Sequence, residues 1–300
     1  MLSSCTVCGG DLNREAINYP HPNRGKSELI FNTIEICSEC GFGMASPHYT
    51  QDELDRFYSS GAYWSDVVKE NPFQDAHEKN QARLRVVQSM PYVKSHAAVN
   101  VLDVGAGHAH TMTWIEKLFP GKLHRFDFIE HDEDKCHYIL SSRKAFTIRR
   151  LAEIREGVGY DLIFMNHVLE HVADPELFLS EVLKQLNPEG VIYVEIPHSD
   201  YRYKQDVFPH TLFFTQKSLA RLADKLGVVQ LHSETFGRDA GLERGVFQKV
   251  YIKVLSQLYY LSVRMNVEWA QQWLDRLLWQ YQRRGGDRIW LRWIITPISS

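Results

Sequence analysis

Three groups of residues in this chain have types and spacings that could do chemistry. The first is Asn166-His167-Val168-Leu169-Glu170-His171, a polar cluster that closes the apolar run Tyr160–Met165. Histidine is the natural proton acceptor near neutral pH, and a carboxylate beside it can orient the ring or join it on a metal. The second is Asp103-Val104-Gly105-Ala106-Gly107, which ends the apolar stretch Val99-Asn100-Val101-Leu102. Glycines after a strand tolerate positive φ and let a ligand approach the backbone, so this is a turn suited to a nucleotide-like ligand. The third is Cys5, Cys8, Cys37 and Cys40, two Cys-x-x-Cys pairs followed by Gly9 and Gly41. Each pair can point both thiolates at one ion, and two pairs complete a tetrahedral four-sulfur shell. The expectation is structural zinc, with no ligand position left open for catalysis. Cys136 lacks such a partner and is expected in the core.

The elements that must position these groups are legible from periodicity. Strands are predicted at 99–104, 124–130, 146–150, 160–166, 190–196, 228–236 and 247–254, with helices at 109–119, 133–142, 174–186 and 215–226 between them. This βα alternation implies an α/β fold with a parallel sheet covered by helices on both faces. The last two strands lack an intervening helix. The connection Gly237 to Gly245 is glycine-rich and polar, so the final strand is expected to be antiparallel.

Four regions follow: a zinc-binding module at 1–46, a helical lid or linker at 47–95, the ligand-binding α/β domain at 96–255, and a helical, amphipathic extension at 256–300. In the second, Thr50-Gln51-Asp52-Glu53 predicts an N-cap with acids in the first turn, and a further helix around 76–90 should stop at Pro91. The aromatic segment from Phe57-Tyr58 through Tyr63-Trp64 to Phe73 is the expected lid. The extension holds five of the seven tryptophans and more basic than acidic residues. Trp269, Trp273 and Leu277 recur every four residues, a stripe expected to pack on the core, a dimer partner or a membrane surface.

Composition bounds the rest. A chain of 300 residues with 44% hydrophobic and 24% charged residues is of ordinary globular type, and its net charge of −3 gives no overall basic field for nucleic acid. Residues 1–50 hold three Lys/Arg against five Asp/Glu, unlike a module that reads phosphates. The start Met1-Leu2-Ser3-Ser4-Cys5 shows no basic region followed by an apolar one, and no apolar run nears the roughly 18 residues of a membrane span, so a cytoplasmic location is expected.

The glycine turn lacks the third dehydrogenase glycine, with His110 standing in its place, which disfavours a nicotinamide cofactor. Asp-x-Gly-x-Gly followed by Leu169-Glu170-His171-Val172 instead resembles the class I S-adenosylmethionine-dependent methyltransferases. Asp174-Pro175, Leu183 to Gly190, and the strand Val191–Ile196 with Pro197 are similar to the next elements of that family. The likeness covers about 80–255. Upstream, Cys40-Gly41-Phe42, Pro47, Glu53-Leu54 and Phe57-Tyr58 resemble the junction in a branch whose members carry a four-cysteine module and modify sugars, glycans or natural products.

The resemblance implies a Rossmann-like seven-stranded methyltransferase sheet with an antiparallel last strand. It also implies that Gly105, Ala106 and Gly107 back the methionine part of S-adenosylmethionine, with Asp103 orienting the turn or reaching the methionine amino group. Glu130 would hold the ribose, Leu151 and Ala152 with Glu153 would flank the adenine, and Asn166 and His167 would line the methionine side. Ala109 stands where the family usually has a third glycine. His171, His198 and His210 are the candidate bases. His210 opens a segment resembling one that carries an active-site histidine in sugar methyltransferases. Pro209 precedes it where carbon-methylating members have Glu, which favours oxygen as the reacting atom. His167, Glu170 and His171 also have a spacing that some RNA-end methyltransferases use for a divalent metal, with His198 or His210 to complete it.

The expected activity is methyl transfer to a small molecule or glycan, a sugar hydroxyl foremost. The alternatives are an RNA methyltransferase, whose binding would fall steeply with salt, and a cofactor-binding scaffold without turnover, which the intact Asp103, Gly105, Gly107 and Glu130 disfavour.

Overall fold

The structure, a computed structural model, describes residues 4–12, 16–21, 28–60, 72–94, 98–142, 146–147, 159–239, 246–279 and 287–298. Its centre is a seven-stranded sheet in the order β10-β11-β8-β7-β4-β5-β6. The strands are β4 (Val99–Val104), β5 (Leu123–Ile129), β6 (Phe146–Thr147), β7 (Tyr160–Asn166), β8 (Leu186–Pro197), β10 (Val228–Asp239) and β11 (Arg288–Pro297). Neighbours among β4 to β8 pair in parallel, while β11 runs antiparallel to both β8 and β10.

Strand pleating separates two cores. On β7, Ile163 and Met165 face one side with Leu179, Leu219 and Leu222 of α5 (Pro175–Leu183) and α6 (Gln216–Leu226). Leu162 and Phe164 face the other with Val86, Met112, Ile115 and Ile139. Those four come from α2 (Pro72–Ser89), α3 (His110–Leu118) and α4 (Glu133–Ser142). Helix starts follow their caps. Asp174 accepts the amides of Glu176 and Leu177 ahead of α5, and Thr215 forms a reciprocal cap with Ser218 at α6. The predicted cap at Thr50 opens α1 (Gln51–Ser59), with Glu53 returning to the Thr50 amide.

The four-cysteine region is joined to the later part of the chain by backbone pairing. A second sheet has the order β1-β2-β3-β9, from Ile17–Asn18, Thr33–Ile36, Gly43–Ser46 and Leu212–Phe213. Its last strand follows His210 in sequence, and Met44 pairs with Leu212 and Gly43 with Phe213. Tyr19, Phe31, Ile34, Leu54, Phe57 and Phe213 share one small core beneath it.

Three expectations need correction. Residues 247–254 are not a strand but part of α7 (Val246–Arg264), because Leu255, Tyr259 and Ser262 continue a helical buried face that a strand could not present. The seventh strand is β11, inside the region expected to be a helical extension, so the sheet does not end at 255. On α8 (Glu268–Trp279) the buried positions are Gln271, Leu274, Asp275 and Leu278, whereas Trp269 and Trp273 stand 74% and 56% exposed. The tryptophan stripe therefore faces away from the core.

Candidate active site

The carboxyl ends of β4, β5, β7 and β8 converge where ligands bind in parallel α/β sheets. Gly105 and Gly107 have φ of +70° and +55°, and Ala109 has +50°, which explains why a glycine suits that position. A Cβ on Gly105 would stand 2.6 Å from Val168 Cγ2. The Gly105 and Ala106 amides donate to the Ile129 carbonyl, fastening the turn to the end of β5. Glu130 follows: one carboxylate oxygen accepts the Gly107 amide at 2.7 Å, and the other accepts the His131 and Asp132 amides.

Asp103 lies buried under this turn. Thr111 donates to its Oδ2, while Oδ1 has no hydrogen-bond partner among the described residues. Burial pushes its carboxyl up to about 7, against the pull of the Thr111 hydroxyl and Arg85. Asn166, at the end of β7, also leaves a buried Oδ1 without a partner among the described residues. A glycine turn with open backbone, a carboxylate at the end of the neighbouring strand and two orphaned oxygens fit an adenosyl amino acid carrying an ammonium group. Leu151 and Ala152, expected beside the adenine, lie outside the described residues, as do Tyr63 and Trp64 of the expected lid.

The histidines separate in the structure. Glu170, His171 and His210 bring one ligand atom each within 4.8 Å of one another. His171 and His210 rings are 4.9 Å apart. His171 Nδ1 meets the Tyr58 hydroxyl at 2.8 Å, so α1 reaches the site. Burial drives the His171 ring down to about 3, leaving it neutral and a weak base at physiological pH. His210 Nδ1 stands 3.0 Å from Asp200 Oδ2, whose carboxylate is buried and also meets Lys204 at 2.8 Å. Despite burial, His210 and Lys204 hold Asp200 far below the usual carboxylate range. His198 goes elsewhere: its Nδ1 meets the Arg288 carbonyl at 2.8 Å and fastens β8 to β11. His167, at φ +57°, packs its ring 4.8 Å from Trp290 and approaches Glu170 Oε1 at 3.2 Å. The nearby histidines keep Glu170 ionised although it is buried.

Other residues behind the site could not be found from local pattern. Arg85 donates twice to Glu195 Oε1, and Arg292 meets Glu195, Glu234 and Tyr193. Burial works against ionisation, yet Arg85 and Arg292 hold Glu195 at about 2. Since the Glu195 carbonyl accepts the His167 amide at 2.9 Å, this buried network backs the polar cluster. The cysteine region braces the same place from the other side. The Thr215 hydroxyl donates to the Cys40 carbonyl, Tyr19 Oη to the His210 carbonyl, and the Ala45 amide to the Thr211 carbonyl. Thr211 in turn bonds the Glu170 and Val172 carbonyls.

Within that region Cys5 and Cys40 sulfurs are 3.7 Å apart and Cys8 and Cys37 sulfurs 3.5 Å. Tetrahedral zinc with Zn–S near 2.3 Å puts sulfurs about 3.8 Å apart, so the four thiols are spaced for one ion. Contact with Cys40 pulls the Cys5 thiol down to about 5, while the same contact pushes Cys40 up: a cluster of thiols needs a cation to ionise together.

Residues 57–233 match a protein family described as "Methyltransferase domain". The chain belongs to this family. The methyltransferase is 28% identical over 165 residues to the ubiquinone biosynthesis O-methyltransferase of Rhizobium rhizogenes, and 26% identical over 159 residues to that of Bartonella bacilliformis. Each match covers 48% of this chain and 62% of the relative, so the chain spans somewhat under two thirds of the curated relatives it matches. Among solved structures, the plantazolicin methyltransferase BpumL bound to SAH aligns at a TM-score of 0.48 and 17% identity, covering 82% of this chain and 94% of that one. Residues 57–233 are thus a methyltransferase domain.

Proposed function

We propose that this methyltransferase methylates a hydroxyl of a small-molecule acceptor, with His210 taking the hydroxyl proton. The observation that carries this reading is the approach of His210 Nδ1 to within 3.0 Å of the buried, ionised Asp200, ion-pair distance for a protonated ring though not aligned as a hydrogen bond. A carboxylate beside Nδ1 leaves Nε2 for the acceptor and stabilises the imidazolium formed when the proton arrives. Bound S-adenosylmethionine supplies an already activated methyl group. The chain's own residues then hold and orient. Asp103 Oδ1 would meet the ammonium, Gly105 to Gly107 would lie against the amino-acid part, Glu130 would take the ribose hydroxyls, and Asn166 and His167 would close the methionine side. Alignment of acceptor and methyl group supplies several kcal/mol of the barrier, on the order of 7 where the geometry is good.

The cysteines Cys5, Cys8, Cys37 and Cys40 hold a structural zinc in this proposal. Its role is to stiffen the sheet whose last strand follows His210. The resemblance of the cysteine region favours a sugar or glycan hydroxyl. The curated relatives are named for O-methylation in ubiquinone biosynthesis, which makes a ring hydroxyl the second acceptor class.

One observation favours a second reading of the same cluster. Among the described residues Glu170 Oε2 is buried without a partner, His171 has Nδ1 engaged by Tyr58, and His210 Nδ1 stands 3.0 Å from Asp200 Oδ2 without the alignment of a hydrogen bond. Histidines anchored through one nitrogen present the other to a metal, so Glu170, His171 and His210 would hold a divalent cation. S-adenosylhomocysteine release is to be measured with nucleotide sugars and with catechols, before and after chelation at a concentration that spares the cysteine site. Turnover with either hydroxyl class, unchanged by chelation, supports the histidine base. Loss on chelation and recovery with added divalent ion supports the metal. Turnover only with RNA, lost steeply as salt rises, overturns the acceptor assignment.

A further inference from the structure

The helical hairpin α7–α8 lies between β10 and β11 in the chain, although the two strands pair directly with each other. Its inner face is accounted for. Leu255, Tyr259, Leu274 and Leu278 pack with Ala76 of α2, and Ile252 and Val263 border them. A second apolar face is not. Val250, Val254, Leu258, Leu261 and Met265 follow one another at steps of three and four residues, and each is between 46% and 64% exposed. At about 100° per residue these positions form a single stripe from Val250 to just past the end of α7, beside the buried one. Tyr251 borders the stripe at 52% exposure, and the exposed Trp269 and Trp273 sit one turn apart on α8. Monomeric protein surfaces rarely leave so many large apolar side chains in a row.

Charge decides what covers it. Lys253, Arg264 and Arg276 are exposed on the same hairpin. Its two acids are already engaged: Asp275 is buried against His77 at 2.6 Å and Gln81 at 3.1 Å, and Glu268 pairs with Lys117 at 3.0 Å and Lys79 at 3.6 Å. A second copy related by two-fold symmetry would bring the same cations to face one another. Anionic headgroups would complement them. Among the described residues no helix is long and apolar enough to cross a membrane, so the geometry suits a helix lying along a surface.

We infer that the α7 stripe, with Trp269 and Trp273, rests on an anionic lipid surface, with Lys253, Arg264 and Arg276 meeting its headgroups. The helix lies in the plane of the interface, its aliphatic side chains entering the acyl boundary and its indoles seated at headgroup depth. The hairpin packs on α2, whose Asp75 meets His110, three residues beyond the glycine turn, at 2.9 Å.

The test is flotation of the full chain with vesicles of phosphatidylcholine alone or mixed with phosphatidylglycerol, alongside sedimentation of the lipid-free protein. Wild type is expected to float with the mixed vesicles and to release at high salt. The double variant Leu258→Glu/Leu261→Glu is expected to lose at least about 100-fold in partitioning, since two buried aliphatic contacts are removed. Lys253→Glu/Arg264→Glu is expected to lose binding to mixed vesicles selectively. Thermal stabilisation by S-adenosylhomocysteine, unchanged in both, shows that the variants fold. Equal flotation of wild type and the leucine double variant overturns the inference. So does a wild type that ignores vesicles but sediments as a dimer that Leu258→Glu/Leu261→Glu makes monomeric.

Discussion

Asp103 offers a prediction that needs no knowledge of the acceptor. Its carboxyl is pushed up to about 7 by burial, and Oδ1 is without a partner. Below that pH the buried group carries a proton and cannot pair with the cofactor's ammonium. If binding requires the ionised form, the dissociation constant scales with the ionised fraction. With a pKa near 7 the fraction is about one tenth at pH 6 and about nine tenths at pH 8, so affinity weakens about tenfold, or about 1.4 kcal/mol. S-adenosylhomocysteine binding by titration calorimetry reads this directly. Run at pH 6 in buffers of different ionisation enthalpy, it should report about one proton released per ligand bound. The free protein carries the opposite dependence. A carboxyl raised in the folded state makes folding most favourable below its unfolded value near 4, and that advantage is lost as pH rises towards 7. Thermal stabilisation by ligand should therefore be larger at pH 8 than at pH 6. Asp103→Asn should bind weakly with no proton release from this source. Equal affinity at the two pH values, or proton release that survives in Asp103→Asn, refutes the reasoning.

Further outcomes follow from named contacts. Gly105→Ala, with φ +70° and a Cβ 2.6 Å from Val168 Cγ2, should weaken S-adenosylhomocysteine binding by at least about tenfold in the same titration. Arg85→Met leaves Glu195 buried with Arg292 at 3.4 Å as the remaining charged partner; a loss of about 3 kcal/mol, seen as a drop of about 5–10 °C in Tm, is expected. Protein as purified should carry about one zinc per chain by elemental analysis. Cys37→Ser should abolish it and speed amide exchange at Leu212 and Phe213, because β9 pairs with β3 behind the cysteines.

Local features of the fold were legible and distant ones were not. The turn Asp103–Gly107 and the cluster Asn166–His171 each lie within a few residues of the strand that carries them, so an apolar run and its polar end suffice to place them. Glu130 is placed for the same reason, one residue beyond β5. His210 was chosen without Asp200, whose burial becomes visible only once the chain turns back after β8. The network of Arg85, Glu195, Glu234 and Arg292 joins positions 58 to 110 residues apart, and no periodicity marks such partners. The same holds for β3 with β9, which turned an expected separate module into a brace for the site. The misread strand at 247–254 has a local cause. Val250-Tyr251-Ile252 and Val254-Leu255 are β-branched, aromatic or aliphatic on both apolar faces of α7, so the helical period was masked over a short window.

The central claim is that His210, held by Asp200, removes the acceptor's proton. The most direct measurement is kcat for His210→Ala with a hydroxyl acceptor, with S-adenosylhomocysteine affinity measured on the same preparation. The account predicts a fall in kcat of about 10²–10⁴-fold with cofactor affinity preserved, and a smaller fall of the same kind for Asp200→Asn. Undiminished kcat in His210→Ala would contradict it.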